Sequence, residues 1–404
     1  MNYPDANDLH QGKFTDGDPI AGIAPSVDSA EYTNAIYDEL LGVIEGAGLA
    51  PDSSNNTQLL EAINYYRNAS NLIGQIPSAR MYGTSTMFEK NVVSNPAFQL
   101  DAGTLKNAAD LTCVVNNVAY KYDEGAGLVL PGSMSIGTDY AVYATPDGLV
   151  VSANFTTPDG YTGLTSRRVG GFHYQNGEIN EFSLYDIKYC PNARNAQTKS
   201  NDPRGMFRIP GYGWSDIYVL NTTPDLLGTS ALGAQIADGA SPPKTPTFWG
   251  GDGTVQYSSF TQYVAVEVLA AYGKRPPTQH EFAMLAAGTV AGYAVGTDPA
   301  TVQYDASTTS RFGAVGASGV IWQWGAEIWD RGNGSSGYSW YGADTNGGGQ
   351  VYTAGSAGVG ASIFGGNWLD SGLAGSRASV WNIEPWYSSE DVGARGVCDH
   401  FESC

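Results

Sequence analysis

The sequence predicts an α+β protein of several domains, and three observations support that fold class. First, 404 residues are more than the roughly 150 that one domain usually contains. Second, the chain has 52 glycines, 25 tyrosines and nine tryptophans, a composition typical of loop-rich β structure. Third, helical periodicity is confined to the N-terminal region and to a short stretch between residues 260 and 288. Hydrophobic residues make up 42% of the chain, which excludes a disordered protein.

The charge balance limits the classes of partner. Twenty basic residues face 40 acidic ones, and the net charge of −20 repels nucleic acid and anionic lipid. No apolar run approaches the ~20 residues of a membrane span, so we expect neither nucleic-acid binding nor membrane insertion. The first residues lack the basic and apolar regions of a signal peptide, which indicates synthesis in a cytoplasm without secretion. Cys113, Cys190, Cys398 and Cys404 are too few for a disulfide framework, although Cys398 and Cys404 could close a short loop outside the cytoplasm.

Residues 1–80 predict a helical N-terminal domain. Asp28 and Glu31 are spaced as a helix start, and Gly48 marks the helix end. Apolar residues follow at helical spacing along one face: Tyr32, Ile36, Leu40, Ile44 and Ala47. A second helix is predicted over about 57–73. Two helices of this size bury little surface alone, so we expect this domain to oligomerise or to dock on a partner.

Residues 86–165 predict a small β-sandwich. The apolar run 140–144 leads through a Pro-Asp-Gly turn at 146–148 into a second apolar run. Similar short runs occur at 112–115 and 127–130. Several short strands joined by turns are typical of a sandwich, which here would act as a spacer.

Residues 166–404 form the third predicted domain, with helices near 260–272 and 278–288. Thr278 and Glu281 are spaced as a capping box. Beyond this point the sequence predicts almost no helix, and 14 glycines lie between residues 331 and 376. Aromatic residues interrupt these glycines, which favours an ordered, loop-dominated surface over a flexible linker.

A search for catalytic chemistry finds no site. The four histidines show no ligand spacing, and Cys398 with His400 supplies only two potential metal ligands. The acidic turn at 344–347 lacks the later glutamate of a calcium loop, and the glycine pattern at 332–337 neither follows a strand nor opens a helix. No phosphate-binding loop or nucleophile elbow is present, and nothing selects two of the 40 carboxylates as a glycosidase pair. We therefore predict no catalytic residue, no metal and no cofactor.

Six short motifs in the C-terminal domain occur in a fixed order. They are Lys274-Arg275-Pro276-Pro277-Thr278-Gln279-His280-Glu281-Phe282, Gly319-Val320-Ile321-Trp322-Gln323-Trp324, Gly365-Gly366-Asn367-Trp368, Gly375-Ser376-Arg377-Ala378-Ser379, Trp381-Asn382 with Pro385, and Val392-Gly393-Ala394-Arg395-Gly396. Together they resemble the C-type-lectin fold of formylglycine-generating-enzyme-like domains. Gln323 replaces the family's Glu, and Ala394 replaces its Phe. The cysteine pair that carries copper chemistry in the enzymes has no counterpart before Arg395, so the resemblance implies the fold without the oxidase activity.

The two ends of the chain resemble phage receptor-binding proteins. The ending at 393–400 is similar to that of lectin-fold proteins that a diversity-generating retroelement varies by mutating adenines. The motifs at 14–19, 32–40, 44–52 and 58–63 resemble the N-terminal segment of many phage tail fibres. That segment joins the fibre to the tail and tends to trimerise. The resemblance implies a homotrimeric virion protein that contacts other tail proteins through its N-terminus and mediates host adsorption.

The family resemblance also indicates which residues would contact a ligand. Fixed Trp and Arg side chains hold the fold in such proteins, and here we expect a structural role for Trp322, Trp324, Trp368, Trp381, Arg377 and Arg395. The residues between them vary and face the ligand. The candidate ligand-binding residues, with two aromatic residues of the glycine-rich region, are Trp340, Tyr341, Leu369, Asp370, Leu373, Val380, Ile383, Glu384, Trp386, Tyr387 and Glu390.

The sequence thus favours a receptor-binding protein that recognises a bacterial surface protein or glycan. Large aromatic side chains on short loops supply contact area at low entropic cost and also stack on sugar rings. Three alternatives stay open at this point. They are a formylglycine-generating-like oxidase, a glycan depolymerase, and a structural virion protein in which Trp386 and Tyr387 are buried against another protein.

Overall fold

In the computed structural model of the chain, the N-terminal helices group separately from most of the strands. One unit comprises Met1–Ser85 with Asn117–Lys121, and the other comprises Thr86–Asn116 with Tyr122–Cys404. The residues that the structure describes are 9–11, 13–26, 30–68, 87–91, 95–330, 338–342, 350–354 and 359–401. Within these ranges the backbone alone is described at 30–32, 64–68, 330, 338–342 and 350–354.

Two helices, α1 (Ala30–Gly46) and α2 (Gln58–Asn68), confirm the helical prediction for the N-terminal region. Ile44 and Ala62 are fully buried between them. Ile36, which the periodicity places on the same buried face, is instead 60% exposed, and Leu60 of α2 is 59% exposed. Two short helices can cover only one strip of each other, so the outer apolar side chains stay in solvent within this unit. The expected capping residue Asp28 lies outside the described residues.

Ten short strands follow among the described residues, and five of them form one antiparallel sheet. Their bounds are β1 (Phe88–Lys90), β2 (Phe98–Asp101), β3 (Thr104–Asn107), β4 (Leu111–Val115), β5 (Val118–Tyr122), β6 (Thr138–Thr145), β7 (Gly148–Ser152), β8 (Arg167–Gln175), β9 (Glu178–Ile179) and β10 (Tyr185–Asp186). The sheet has the order β10-β8-β6-β7, and β9 pairs with β8. β6 and β7 are joined at the predicted turn, whereas the apolar run 127–130 makes only single bridges to its neighbours.

The central sheet continues beyond residue 165. β8 pairs with β6 over most of its length, and β10 pairs with β8. The buried Lys90 ammonium lies 2.6 Å from the Asp186 carboxylate, which also accepts a hydrogen bond from the Ala97 nitrogen at 2.7 Å. This buried ion pair links β1 to β10, which belong to different sheets, so residues on both sides of position 165 pack together in one unit.

The C-terminal region contains three further helices and nine strands among its described residues. They are β11 (Met206–Arg208), β12 (Trp214–Asp216), α3 (Pro224–Leu227), α4 (Gln262–Ala271), α5 (Gln279–Leu285), β13 (Trp322–Asp330), β14 (Tyr338–Gly342), β15 (Gln350–Ala354), β16 (Val359–Phe364), β17 (Ser379–Ile383), β18 (Val392–Gly393) and β19 (Val397–Cys398). One sheet has the order β17-β16-β13-β18, a second has the order β11-β12-β19, and β14 pairs with β15. Both predicted helices of this region are confirmed as α4 and α5, although α5 is shorter than predicted.

The capping box predicted at the start of α5 is present. The Thr278 hydroxyl accepts from the Glu281 nitrogen, and the Glu281 carboxylate accepts from the Thr278 nitrogen. Glu281 also forms a two-pronged ion pair with Arg275, at 2.7 and 2.8 Å. Burial would raise the pKa of Glu281, but the hydrogen bonds from Arg275 and Thr278 and the charge of Arg275 outweigh it and hold that pKa below its usual value.

Neighbouring side chains of the four-stranded sheet enter two hydrophobic cores. Phe364 of β16 packs in the core that contains Phe282 of α5, whereas the adjacent Ile363 packs in the core that contains Leu269 of α4. Because successive side chains of a strand point to opposite faces, α4 and α5 cover opposite sides of the sheet. Trp324 is fully buried in the α4 core.

The expected structural residues divide into two groups. Trp322, Trp324, Trp368 and Arg395 are buried, as their predicted structural role requires. Trp381 is half-buried, and it lies against the α5 core. Arg377 is exposed, so the expectation that it supports the fold from within is wrong; it lies just before β17, where the chain turns outward.

Candidate functional site

The candidate residues from 369 to 390 occupy two loops and the edge strand between them. The first loop, 365–375, follows β16, and the second loop, 384–391, follows β17. A hydrogen bond of 2.9 Å from the Asn367 amide nitrogen to the Asp391 carboxylate joins the two loops. The backbone nitrogen of Trp322 also donates to the Asp391 carbonyl at 3.0 Å. The fold therefore brings one end of each loop together beside β13.

The first loop presents two leucines to solvent. Leu369 is 69% exposed and Leu373 is 75% exposed. Asp370 holds the turn between them, because its carboxylate accepts from the Asn367 nitrogen at 2.8 Å and its carbonyl accepts from the Leu373 nitrogen at 2.7 Å. Asp370 thus shapes the loop, while the leucines are available for contact.

The edge strand β17 carries two candidates that are half-buried. Val380 and Ile383 both pack against the core beneath α4. β17 pairs with β16, where Val380 lies opposite Ile363 and Ile383 lies opposite Ala361. These two side chains therefore serve the core and leave only part of their surface for a ligand.

The second loop exposes two adjacent aromatic rings. Trp386 is 58% exposed and Tyr387 is 39% exposed. The loop is fixed on both sides of them, because Pro385 is buried and its carbonyl accepts from the Gln262 nitrogen at 3.0 Å. The Ser388 hydroxyl accepts from the Phe260 nitrogen at 2.9 Å. The aromatic pair thus projects from a well-anchored loop.

The two acidic candidates of this loop differ in exposure. Glu390 is exposed, whereas Glu384 is half-buried and its carbonyl accepts from the Tyr387 nitrogen at 2.9 Å. Just before Glu390, the Ser389 carbonyl accepts from the Gly239 nitrogen at 2.9 Å. Glu390 therefore adds negative charge beside the aromatic rings.

Beneath the loops lies the buried guanidinium group of Arg395. Its nitrogens donate to the carbonyls of Asp216, Ile217 and Val315 at 2.8, 2.6 and 2.5 Å. Its Nε donates to the Gln323 amide oxygen at 2.9 Å. Burial lowers the pKa of Arg395 to about 10, and the nearby Asp216 charge acts in the opposite direction. Gln323 donates in turn to the Gly316 carbonyl at 3.0 Å, a bond that the family's usual glutamate could not make in its charged form.

Comparisons with known proteins agree with this architecture. Residues 96–186 match the family model described as the Mtd second domain. The chain is 39% identical over 351 residues to the tail fiber receptor-binding protein of Bordetella phage BPP-1, covering 81% of this chain and 88% of that protein. The chain belongs to the Major Tropism Determinant family.

Solved structures of this family show the same fold. The U1 variant of the Major Tropism Determinant matches with a TM-score of 0.70 at 37% identity, over 80% of this chain and 88% of that one. The P3c variant matches with a TM-score of 0.69 at 37% identity, over 79% and 87% of the two chains. The α+β class and the C-terminal C-type-lectin fold predicted from the motifs are thereby confirmed.

The aromatic candidates of the glycine-rich region lie on the hairpin formed by β14 and β15. Trp340 and Tyr341 belong to β14, and their backbones pair with Tyr352 and Val351 of β15. Their side chains lie outside the described part of the structure. Their role in ligand binding stays a prediction.

The sequence analysis missed a row of exposed apolar side chains on α4. Tyr263 and Val266 are exposed one turn apart, while Ala265 and Val268 between and after them are buried. The row begins beside Gln262, the residue that donates to the Pro385 carbonyl of the second loop. The spacing of three residues between Tyr263 and Val266 was a readable signal. Only Gln262 and Glu267 are polar in this helix, however, so its sequence does not separate an outer face from a buried one.

The cysteines among the described residues have a structural role. Cys113, Cys190 and Cys398 are buried and free. Burial is the main cause that raises the pKa of Cys398 to about 12, which keeps that thiol protonated. The possible partner Cys404 lies outside the described residues. Nearby His400 accepts from the Trp214 indole nitrogen at 3.0 Å, so its ring supports packing.

The described residues contain neither a group of potential metal ligands nor a helix that could span a membrane. Within them, no three His, Cys, Asp or Glu side chains are grouped so that they could hold a metal ion. No described helix has both the length and the apolar character needed to cross a membrane.

Proposed function

We propose that the chain is a phage tail-fibre receptor-binding protein that recognises a bacterial surface protein or glycan. The observation that carries this proposal is the pair of anchored loops, from which Leu369, Leu373, Trp386 and Tyr387 project into solvent. Exposed apolar and aromatic side chains on a rigid support are typical of binding hot spots. The similarity to a tail fiber receptor-binding protein supports the same function.

The binding residues in this proposal are those of the two loops, of the edge strand β17 and of the β14 hairpin. Leu369, Leu373, Trp386 and Tyr387 supply the apolar contacts, and Glu390 supplies charge at the rim. Asp370 and Glu384 shape the loops. Val380 and Ile383 support them from the edge strand, and Trp340 and Tyr341 extend the surface on the β14 hairpin.

The remaining parts would place this surface on the virion. Residues 1–80 attach the chain to other tail proteins and form a homotrimer, and the β-rich domain that follows acts as a spacer. We propose that this spacer ends near Asp186, where the central sheet ends, instead of at residue 165. The receptor-binding domain then runs to the C-terminus. The binding role needs no catalysis and no cofactor.

Adsorption of labelled protein to bacteria tests the proposal. The panel includes Bordetella strains, because the relative comes from a Bordetella phage. We expect strain-selective binding by the wild-type chain and at least about tenfold weaker binding by a Trp386→Ala/Tyr387→Ala variant, because hot-spot aromatics each contribute about 2 kcal/mol or more.

A Tyr304→Ala/Leu226→Ala variant is the matched control. It removes one aromatic and one apolar side chain that are exposed outside the two loops, and we expect it to bind like the wild type. Equal binding by both variants would contradict the placement of the site. Binding to no strain, by a protein that also releases reducing sugar from capsule, would favour the depolymerase alternative.

The proposed diversification has a separate test in the neighbouring DNA. A retroelement that varies the loops requires a near-copy of the codons for residues 364–396 and a reverse-transcriptase gene close to this one. Differences between the two copies are expected at adenines. Absence of such a copy would contradict the diversification and leave the receptor-binding proposal intact.

A further inference from the structure

A small cavity lies between α5 and the start of β17, next to the loops but outside the candidate residues. Its volume is about 190 Å³. The half-buried Ala283 and Ala378 form its apolar floor. The buried rings of Phe282 and Phe364, with centroids 5.2 Å apart, also line it. The exposed side chains of His280 and Arg377 and the hydroxyl-bearing Ser379 lie at its rim.

The Arg377 guanidinium has no hydrogen bond or ion pair with any described residue. The sequence contains twice as many acidic as basic residues, so carboxylate partners are plentiful. Arg204 and Arg275, which are also partly exposed, each form a two-pronged pair with a carboxylate. Arg377 therefore keeps all five of its N–H donors available at the mouth of the cavity.

The carboxylate of Glu327 on β13 forms no ion pair with Arg377. The Glu327 oxygens accept from the Gln279 nitrogen and from the Ser362 hydroxyl, each at 2.7 Å. Its negative charge is thus committed to the backbone of α5 and to β16. The Arg377 guanidinium is therefore available to bind an anion that is not part of this chain.

The other rim groups indicate the class of that anion. Ser376 and Ser379 carry hydroxyls, and Gln279 and His280 carry an amide and an imidazole. Such groups donate to and accept from ligand hydroxyls, while the apolar floor suits a C–H face of a ring. A simple inorganic anion would bind the guanidinium but would make no hydrogen bonds with the hydroxyl, amide and imidazole groups.

We propose that this cavity binds a negatively charged monosaccharide unit, one that carries a carboxylate or a phosphate. Arg377 pairs with the anionic group through two parallel hydrogen bonds. The serine, glutamine and histidine side chains bind the sugar hydroxyls, and an apolar face of the sugar ring packs against Ala283 and Ala378. The inference goes beyond the proposed function, because the cavity would bind a sugar independently of the loop residues and of any receptor protein.

Calorimetric titration of the full chain with three sugars tests this proposal. The sugars are glucuronate, glucose 6-phosphate and neutral glucose, which share one ring and differ in charge. We expect at least one of the anionic sugars to bind with a dissociation constant of about 1 mM and glucose to bind at least about tenfold more weakly. Binding by only one anion identifies the charged group as carboxylate or phosphate.

Three variants place the bound sugar. Arg377→Met is expected to weaken binding of the anionic sugar at least about tenfold, and Arg377→Lys, which keeps the charge but loses the planar fork, to weaken it less. Arg311→Met is the matched control, because Arg311 is also exposed, has no partner among the described residues and lies in a different cavity. Thermal unfolding of each variant verifies the fold.

Four outcomes would overturn the proposal. They are no binding by either anionic sugar, equal binding by glucose, an unchanged affinity in Arg377→Met, and an equal loss in Arg311→Met. No bacterium is needed for the titration, so its failure is distinct from a failure of strain-selective adsorption.

Discussion

The guanidinium group of Arg395 connects separate stretches of the C-terminal domain. It donates to carbonyls of Asp216 and Ile217 at the end of β12, to Val315 in a loop, and to Gln323 of β13. A buried charge is costly unless its donors are satisfied, and these bonds use four of them. One side chain thus fixes the framework on which the loops rest.

We expect Arg395→Met to lower the free energy of unfolding by at least about 3 kcal/mol. The substitution leaves the Val315 carbonyl and the Gln323 amide oxygen without a donor among the described residues, and each such buried group costs about 1–3 kcal/mol. The Asp216 and Ile217 carbonyls lose one donor each but still accept from the Ser215 hydroxyl and the Val315 nitrogen. Urea unfolding followed by tryptophan fluorescence measures the change. Arg377→Met, which removes an exposed guanidinium without a described partner, is expected to change stability by less than about 0.5 kcal/mol. Equal effects of the two substitutions would contradict the framework role of Arg395.

The sequence predicted residue roles well where a motif defines the core. Trp322, Trp324 and Arg395 are buried, as their motif positions indicated. Arg377 belongs to a similar motif and is exposed, because it lies on the turn before β17. Motif position alone does not reveal on which side of a turn a side chain emerges.

Among the elements, the first loop depends on two adjacent glycines. Gly365 and Gly366 have φ angles of +99° and +89°, in the region that side chains rarely adopt. A Cβ on Gly366 would lie 2.9 Å from the Cα and Cβ atoms of Ala374, at the other end of the loop. The two ends can therefore close on each other only without a side chain at this position.

We expect Gly366→Ala to destabilise the protein by about 1–3 kcal/mol, because the substitution combines backbone strain with a close contact. Gly372→Ala is the control in the same loop. Gly372 has an ordinary φ, and a Cβ there would meet no atom within 4 Å. Thermal unfolding of both variants measures the difference. A smaller effect of Gly366→Ala than of Gly372→Ala would show that the loop does not need this turn.

The sequence predicted helices better than the central sheet. The capping box of Thr278 and Glu281 is a local signal, and α5 begins at it. β8 was missed because its Gly170 and Gly171 disfavour a strand when read locally. A Cβ on Gly170 would lie 2.3 Å from the Tyr185 carbonyl oxygen, so this glycine serves a close approach by a distant residue. Local patterns cannot encode such an approach.

For the whole molecule, the N-terminal helices indicate an assembly of several copies. Ile36 and Leu60 are apolar and mostly exposed within their own unit. We expect light scattering to find three copies of the wild-type chain and an Ile36→Glu/Leu60→Glu variant to dissociate, because charge would be placed in the interface between copies. Val129→Glu, an exposed apolar site of the second unit, is the control. A monomeric wild-type chain would contradict the trimer.

Assembly also affects the strength of adsorption. In the proposed homotrimer, three sites on one fibre would raise the effective concentration of each site, so that modest affinity per copy would suffice. We therefore expect the dissociated variant to adsorb less than the trimer by a factor of about 100 or more.

The family was predictable from motifs at both chain ends. The contact between Asn367 and Asp391 was not, since it depends on strands folding between them.

The anchoring of the second loop has a consequence for how the phage could change hosts. Three of its contacts are made by main-chain oxygens, those of Glu384, Pro385 and Ser389. Main-chain atoms are the same whatever the side chain, so substitution of Trp386 or Tyr387 removes none of these bonds. New side chains could be tried there without a penalty in folding. In the proposed binding site, this loop would separate heritable variation in recognition from the cost of keeping a stable protein.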